Sequence, residues 1–87
     1  MINKAYALVC VNEERQVVSI DIFSTRESAQ TAMFKAYDNE LENAHLEGFD
    51  LSNIYVASSP LDAYIKYGSS SYDWTIRIVF INPEDYK

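Results

Sequence analysis

The chain is short of several things at once: it has one cysteine, one histidine, two glycines and two prolines in 87 residues. A lone Cys10 excludes an internal disulfide framework and fits a reducing compartment. A lone His45 leaves no second imidazole to complete a zinc or catalytic site. Gly48 and Gly68 stand far apart, so no glycine-rich loop is present to cradle a phosphate. Cations are scarce as well, with seven Lys and Arg against thirteen Asp and Glu and a net charge of −6. Binding to a phosphate backbone depends on Lys and Arg displacing counterions, so the expected partner is a basic protein and not nucleic acid itself. Long apolar runs are missing, and residues 1–4 lead into a strand pattern instead of a secretion signal. The expectation is a cytoplasmic protein with no membrane partner.

What is present argues for a fold. Hydrophobic residues make up 48% of the chain, far more than a disordered acidic segment carries. A chain this short cannot divide its apolar residues between two cores, so residues 1–87 are expected to form one domain. Its expected radius of gyration is about 12 Å.

The organising stretch is 24–48. Ser24 and Glu27 have the spacing of a capping box, and Phe23 is placed to staple the first turn. Ala29, Met33, Ala36, Tyr37, Leu41 and Ala44 recur at three- and four-residue steps, a stripe facing a core that Phe34 widens. Lys35, Asp38 and Glu42 fall on the opposite side, and Gly48 sits where a left-handed residue closes a helix. A helix over 25–47 is about 34 Å long against about 24 Å for a seven-residue strand, so it either overhangs a sheet or ends early.

Residues 5–11 are apolar throughout, the mark of a central strand. Residues 16–23 alternate, with Val18, Ile20 and Ile22 on one face and Val17, Ser19 and Asp21 on the other, which predicts a half-buried strand hairpinned to the first. After the helix come a short edge strand over 54–57, an alternating strand over 63–67, a polar turn and a strong strand over 74–81. Asn82 and Pro83 stop it, and the acidic tail to Lys87 is expected to fray. The order β-β-α-(β)-β-β predicts an α+β two-layer sandwich, one long helix on a mostly antiparallel sheet of four to five strands in the order 2-1-5-4, with the short strand at the outer edge. One helix covers one face only, so Val9, Val79 and Ile81 or their opposite-face neighbours are left as an apolar patch and point to a homodimer.

Residues 63–78, with Tyr72-Asp73-Trp74-Thr75-Ile76 at their centre, resemble a pattern in small acidic bacterial and phage proteins of unknown function. The strand pair, Phe23-Ser24-Thr25-Arg26-Glu27-Ser28-Ala29 and the acidic helix resemble the same set. The resemblance carries over no catalytic residue and no activity.

Chemistry is thinly represented. Cys10 lies in an apolar strand, where a thiol is an inert small hydrophobe. His45 near a helix end interacts well with the dipole and needs no further role. No catalytic residue, metal ligand or cofactor is expected. Glu40, Glu42, Glu47 and Asp50, with Asp38, gather around the second half of the helix, against the dipole at its C-terminus. They read as a solvated face or as carboxylates imitating nucleic-acid phosphates before a basic groove. Tyr67 and Tyr72 flank the serine turn and add rigid contact area, while Trp74 reads as core. The expected contact residues are therefore Asp38, Glu40, Glu42, Glu47, Asp50, Tyr67 and Tyr72. The leading functional expectation is a non-enzymatic acidic interaction protein, in concrete form a phage or mobile-element inhibitor of a basic nucleic-acid-binding defence protein, anti-CRISPR inhibitors included. The alternative is a homodimeric structural or small-ligand-binding module that uses the open sheet face.

Overall fold

The computed structural model describes residues 3–81. Two antiparallel strands, β1 (Asn3–Asn12) and β2 (Val17–Phe23), precede helix α1 (Arg26–Leu46). A one-turn 3-10 segment (Leu51–Asn53) leads into β3 (Ile54–Ser59), β4 (Asp62–Tyr67) and β5 (Ser70–Ile81). The sheet is antiparallel throughout with strand order β2-β1-β5-β4-β3. This is the expected two-layer α+β sandwich and strand order, with the short strand at the outer edge. The fold is thin and elongated, with extents of 50 × 24 × 17 Å and a radius of gyration of 15.1 Å. The acidic tail, 82–87, lies outside the described residues.

Local chemistry sets the turns. Asn12 closes the first hairpin, its Oδ1 accepting from the backbone N–H of Glu14 at 2.9 Å and of Gln16 at 3.0 Å. Arg15 takes a left-handed φ of 61° inside that loop, a conformation that opposes its Cβ. At β4–β5, Gly68-Ser69 forms a two-residue turn with positive φ at the glycine alone, the II′ pattern that matches strand twist. Phe49 packs over this turn, its ring edge-on to Tyr67 with centroids 5.5 Å apart.

The helix start corrects the expectation by one residue. Thr25 is the N-cap: its Oγ1 accepts from the Ser28 N–H at 3.1 Å and its hydroxyl donates to Ser28 Oγ at 2.8 Å. The Ser24–Glu27 capping box does not form, because Thr25 supplies the same acceptor one position later. The helix does not end early, and closes in a Schellman motif. Gly48, at φ 93°, donates to His45 O, and Phe49 donates to Ala44 O, each at 3.0 Å.

Ala29, Met33 and Ala44 are fully buried, and Ala36, Tyr37 and Leu41 pack beside them. Phe34 is exposed and does not widen the stripe. The sheet answers with Leu8, Cys10, Ile54, Ala63, Ile65, Tyr67, Trp74 and Ile76. Trp74 meets Tyr37 edge-on and stacks on Tyr72 at 6.0 Å. Alanines on both layers let the helix approach closely.

The half-burial expected of β2 does not occur: every residue from Val17 to Ile22 is exposed. A bulge opposite Cys10 and Val11 inserts Val18 as an extra residue, so Val17 pairs with Val11 and Ser19 with Cys10. Ile20 and Ile22 lie opposite Val9 and Ala7, on the face away from the helix. In urea unfolding, Arg15→Gly is expected to stabilise the chain by about 0.5–1 kcal/mol by relieving the left-handed strain. Gly68→Ala is expected to destabilise it by more than about 1 kcal/mol, since its new Cβ would lie 2.8 Å from Phe49 Cζ at a positive φ. An unchanged midpoint in either variant would contradict this account of the turns.

Candidate functional site

Two surfaces carry the unusual chemistry, one in each layer. Under the helix, Glu40 falls on the stripe defined by Met33, Ala36, Tyr37 and Ala44, so its carboxylate points at the sheet and not at solvent. There Glu40 Oε2 accepts from the Tyr67 hydroxyl at 2.8 Å. Tyr67 is only 6% exposed. Its hydroxyl is pushed well above the usual tyrosine range, first by burial and then by the Glu40 hydrogen bond and the Glu40 and Glu47 charges. Tyr72 is raised by the same order of causes, burial first and then Glu40 and Glu13. Beside them a cleft of about 210 Å³ opens between α1 and β2, lined by Cys10, Val18, Ser19, Asn39, Glu40 and Tyr72.

Cys10 sits at the floor of this cleft with its thiol pushed up to about 11 by burial, then by the Glu40 and Asp73 charges. It is held as the thiol at neutral pH and is a poor nucleophile there. His45 is exposed on the last helical turn, whereas Cys10 lies beneath the middle of the helix. The structure does not bring them together.

The seven expected contact residues are divided. Asp38 and Glu42 are exposed on the solvent side of α1, and Glu47 is exposed at its C-cap. Asp50 is exposed but occupied locally: its Oδ1 accepts from Ser52 Oγ at 2.6 Å and Asn53 Nδ2 at 3.0 Å, holding its carboxyl below the usual range. Glu40 and Tyr67 are tied to each other in the core, and Tyr72 stacks on Trp74. The carboxylates therefore diverge and do not form one display.

The second surface is the sheet face away from the helix. Register places Val17, Ile20 and Ile22 of β2, Ala5, Ala7, Val9 and Val11 of β1 and Val79 of β5 on it. Ile20 and Ile22 are 58% and 59% exposed, with Val17 and Val79 exposed beside them. Val9 is half-buried, and the side chain of Ile81 lies outside what is described. The β5–β4–β3 half of this face is polar and aromatic, carrying Asp73, Thr75, Arg77, Asp62, Tyr64, Lys66 and Tyr55.

Sequence reasoning missed the isoleucines of β2 as surface residues. The alternation was visible, but alternation names two faces without saying which meets the helix. The position of Glu40 was also readable, because it continues the 33, 36, 37, 44 stripe. Charge separates cleanly between the layers. The helix side holds Asp21, Glu27, Asp38, Glu40, Glu42, Glu47 and Asp50 against Lys4, Arg26 and Lys35, whereas the open face balances Asp62 and Asp73 with Lys66 and Arg77, and Glu13 and Arg15 of the first hairpin loop line its edge. Among the described residues, no helix is long and apolar enough to cross a membrane. Comparison with protein-family models, curated proteins and solved structures returned no match to this chain.

Tyr67 and Tyr72 hold their protons more tightly folded than unfolded. Their contribution is complete below the unfolded value of about 10 and is lost as pH climbs through the higher folded values. Tyr67→Phe is expected to reduce stability at pH 7 by about 1–2 kcal/mol, because Glu40 loses its donor, and to shrink the loss seen above about pH 10. Urea titrations at pH 7 and pH 10.5 check both; equal midpoints for variant and wild type at both pH values would contradict the role given to this pair.

Proposed function

We propose that the chain is a non-enzymatic protein-interaction module that docks through its open sheet face. The observation that carries this reading is the apolar half of that face, where Val17, Ile20, Ile22 and Val79 stay exposed beside Val9 and Val11. The apolar rows of β2 and β1 span about 24 Å along the strands and about 10 Å across, or about 240 Å² in projection, with Val79 of β5 at their edge. An exposed apolar patch of a few hundred Å², rimmed by polar residues as this one is by β5 and β4, is a mark of an interaction site. Balanced charge adds to it, since three acids, Glu13, Asp62 and Asp73, meet three bases, Arg15, Lys66 and Arg77, and leave no net charge over this face of an acidic protein.

A second reading rests on a different observation, the surplus of carboxylates on the helix layer. Asp38 and Glu42 stand on one solvent face of a rigid helix, with Glu47 at its end. That arrangement suits a basic protein partner, and an anti-defence inhibitor imitating nucleic acid is its concrete form.

Two double variants separate the readings. Ile20→Lys with Ile22→Lys alters the sheet face, and Asp38→Lys with Glu42→Lys alters the helix layer; both pairs are exposed, so both variants should keep the wild-type urea midpoint. Tagged proteins are used to capture partners from nuclease-treated host lysate at two salt concentrations, with bound proteins quantified by mass spectrometry. The sheet-face reading expects the wild-type partner to be lost from the isoleucine variant and retained by the acidic-residue variant. The reverse pattern, with capture that weakens steeply in salt, would overturn it in favour of the acidic surface.

A further inference from the structure

Resting on the sheet-face reading, we infer that the occupant of this face is a second copy of the chain, stacked sheet on sheet about a two-fold axis that crosses the strands near Val9 and Thr75. The pattern of the face selects this operator. A two-fold parallel to the strands would lay the apolar β2–β1 half of one copy on the polar β4–β3 half of the other. A two-fold across the strands lays apolar on apolar and polar on polar, as a self-complementary interface requires. Placing the axis at the row Ile20–Val9–Thr75–Asp62 centres it on the apolar rows, with Val17–Val11–Asp73 on one side and Ile22–Ala7–Arg77 on the other.

The charges then fall into place. Asp73 and Arg77 lie two residues either side of Thr75 on the same face of β5, so the axis sets Arg77 of each copy opposite Asp73 of the other. Stacked sheets lie about 10 Å apart, a gap that an arginine and an aspartate side chain together can bridge. Burial and then the neighbouring Asp62 hold the Asp73 carboxyl above its usual range, and an arginine from the second copy would relieve it. The same axis carries Asp62 toward its own copy, an unfavourable approach.

Area and field agree. The whole face covers about 24 Å by about 24 Å, or about 580 Å² in projection. That is less than the roughly 800 Å² that each partner buries in a standard interface, which sets the expectation of a dimer of micromolar affinity. Sheet-to-sheet stacking also turns the acidic helix layers outward. With each copy 17 Å thick, those carboxylates are separated by well over the Debye length of about 8 Å at physiological salt.

Sedimentation equilibrium at loadings from about 1 µM to about 200 µM reads the test directly. Wild type is expected to dimerise in this range. Arg77→Asp and Asp73→Arg are each expected to weaken the dimer at least about tenfold, because each sets like charges face to face twice. An equimolar mixture of the two variants is expected to recover association, since both cross-pairs become opposite in sign. Asp62→Asn is expected to tighten the dimer. Circular dichroism and urea midpoints confirm that each variant is folded, and the three exposed sites make this the expected outcome. A monomeric wild type at 200 µM, or paired variants that fail to rescue each other, would overturn the inference. If wild type is monomeric but the Ile20→Lys, Ile22→Lys protein still loses its captured partner, the sheet-face reading stands and the second copy is excluded. If that double variant also captures as wild type does, both fail.

Discussion

A single helix has to cover a five-stranded sheet, and the rest of the molecule follows from that shortage. At 21 residues α1 is about 31 Å long but only about 10 Å wide, against a sheet about 24 Å across. It packs mainly over β4 and the middle of β1 and β5, with alanines on both layers allowing close approach. The core it closes is small: Met33 and Ile65 are its largest fully buried side chains. What it cannot cover stays outside, including most of β2 beyond Phe23, the rim of β3, the ends of β1 and β5, and the opposite face apart from the buried Ala5 and Ala7.

The same shortage explains the pairing of Glu40 with Tyr67. A carboxylate on the packed stripe of a helix is costly unless it finds a donor, and the tyrosine hydroxyl supplies one from the opposing strand. This contact fixes the helix over β4 near the hairpin, while Gln30 Nε2 donates to Pro60 O at 2.8 Å near the other end. With the helix held at both points, the acidic residues that remain exposed on it point away from the sheet. The open face is thereby left as the neutral side of an acidic molecule.

Most of the architecture could be read from the residues. The apolar run of β1, the stripe of α1, the turn at Gly68 and the strength of β5 set out the elements, while the strand order rests only on placing the two most apolar strands in the middle of the sheet. Three features resisted for physical reasons. Ser24 and Thr25 are equally good cap residues, and only the path of the chain leaving β2 chooses between them. The alternation of β2 cannot distinguish a face turned toward the helix from one turned toward solvent, and the bulge at Val18 exchanges the neighbours of Val17 besides. Glu40 was grouped with its acidic neighbours by composition, although its spacing from Met33 and Ala36 places it inside. Tyr67 followed it inward, so the expected acidic and tyrosine-rich rim is partly core. Cys10 and His45, the single thiol and the single imidazole, lie on different parts of the fold.

The claim at the centre of this account is that a second copy of the chain covers the open sheet face, and isoleucine methyl groups report on it directly. Ile78 lies on the helix side of β5 beyond the end of the helix and is 53% exposed, close to the 58% of Ile20 and 59% of Ile22. In the isolated chain a soluble paramagnetic probe would relax all three alike. Methyl spectra recorded with such a probe on a concentrated sample should show Ile20 and Ile22 shielded while Ile78 remains fully relaxed, and the difference should vanish on dilution. Equal relaxation of all three residues at high concentration would show that no second copy covers the face and would contradict that claim.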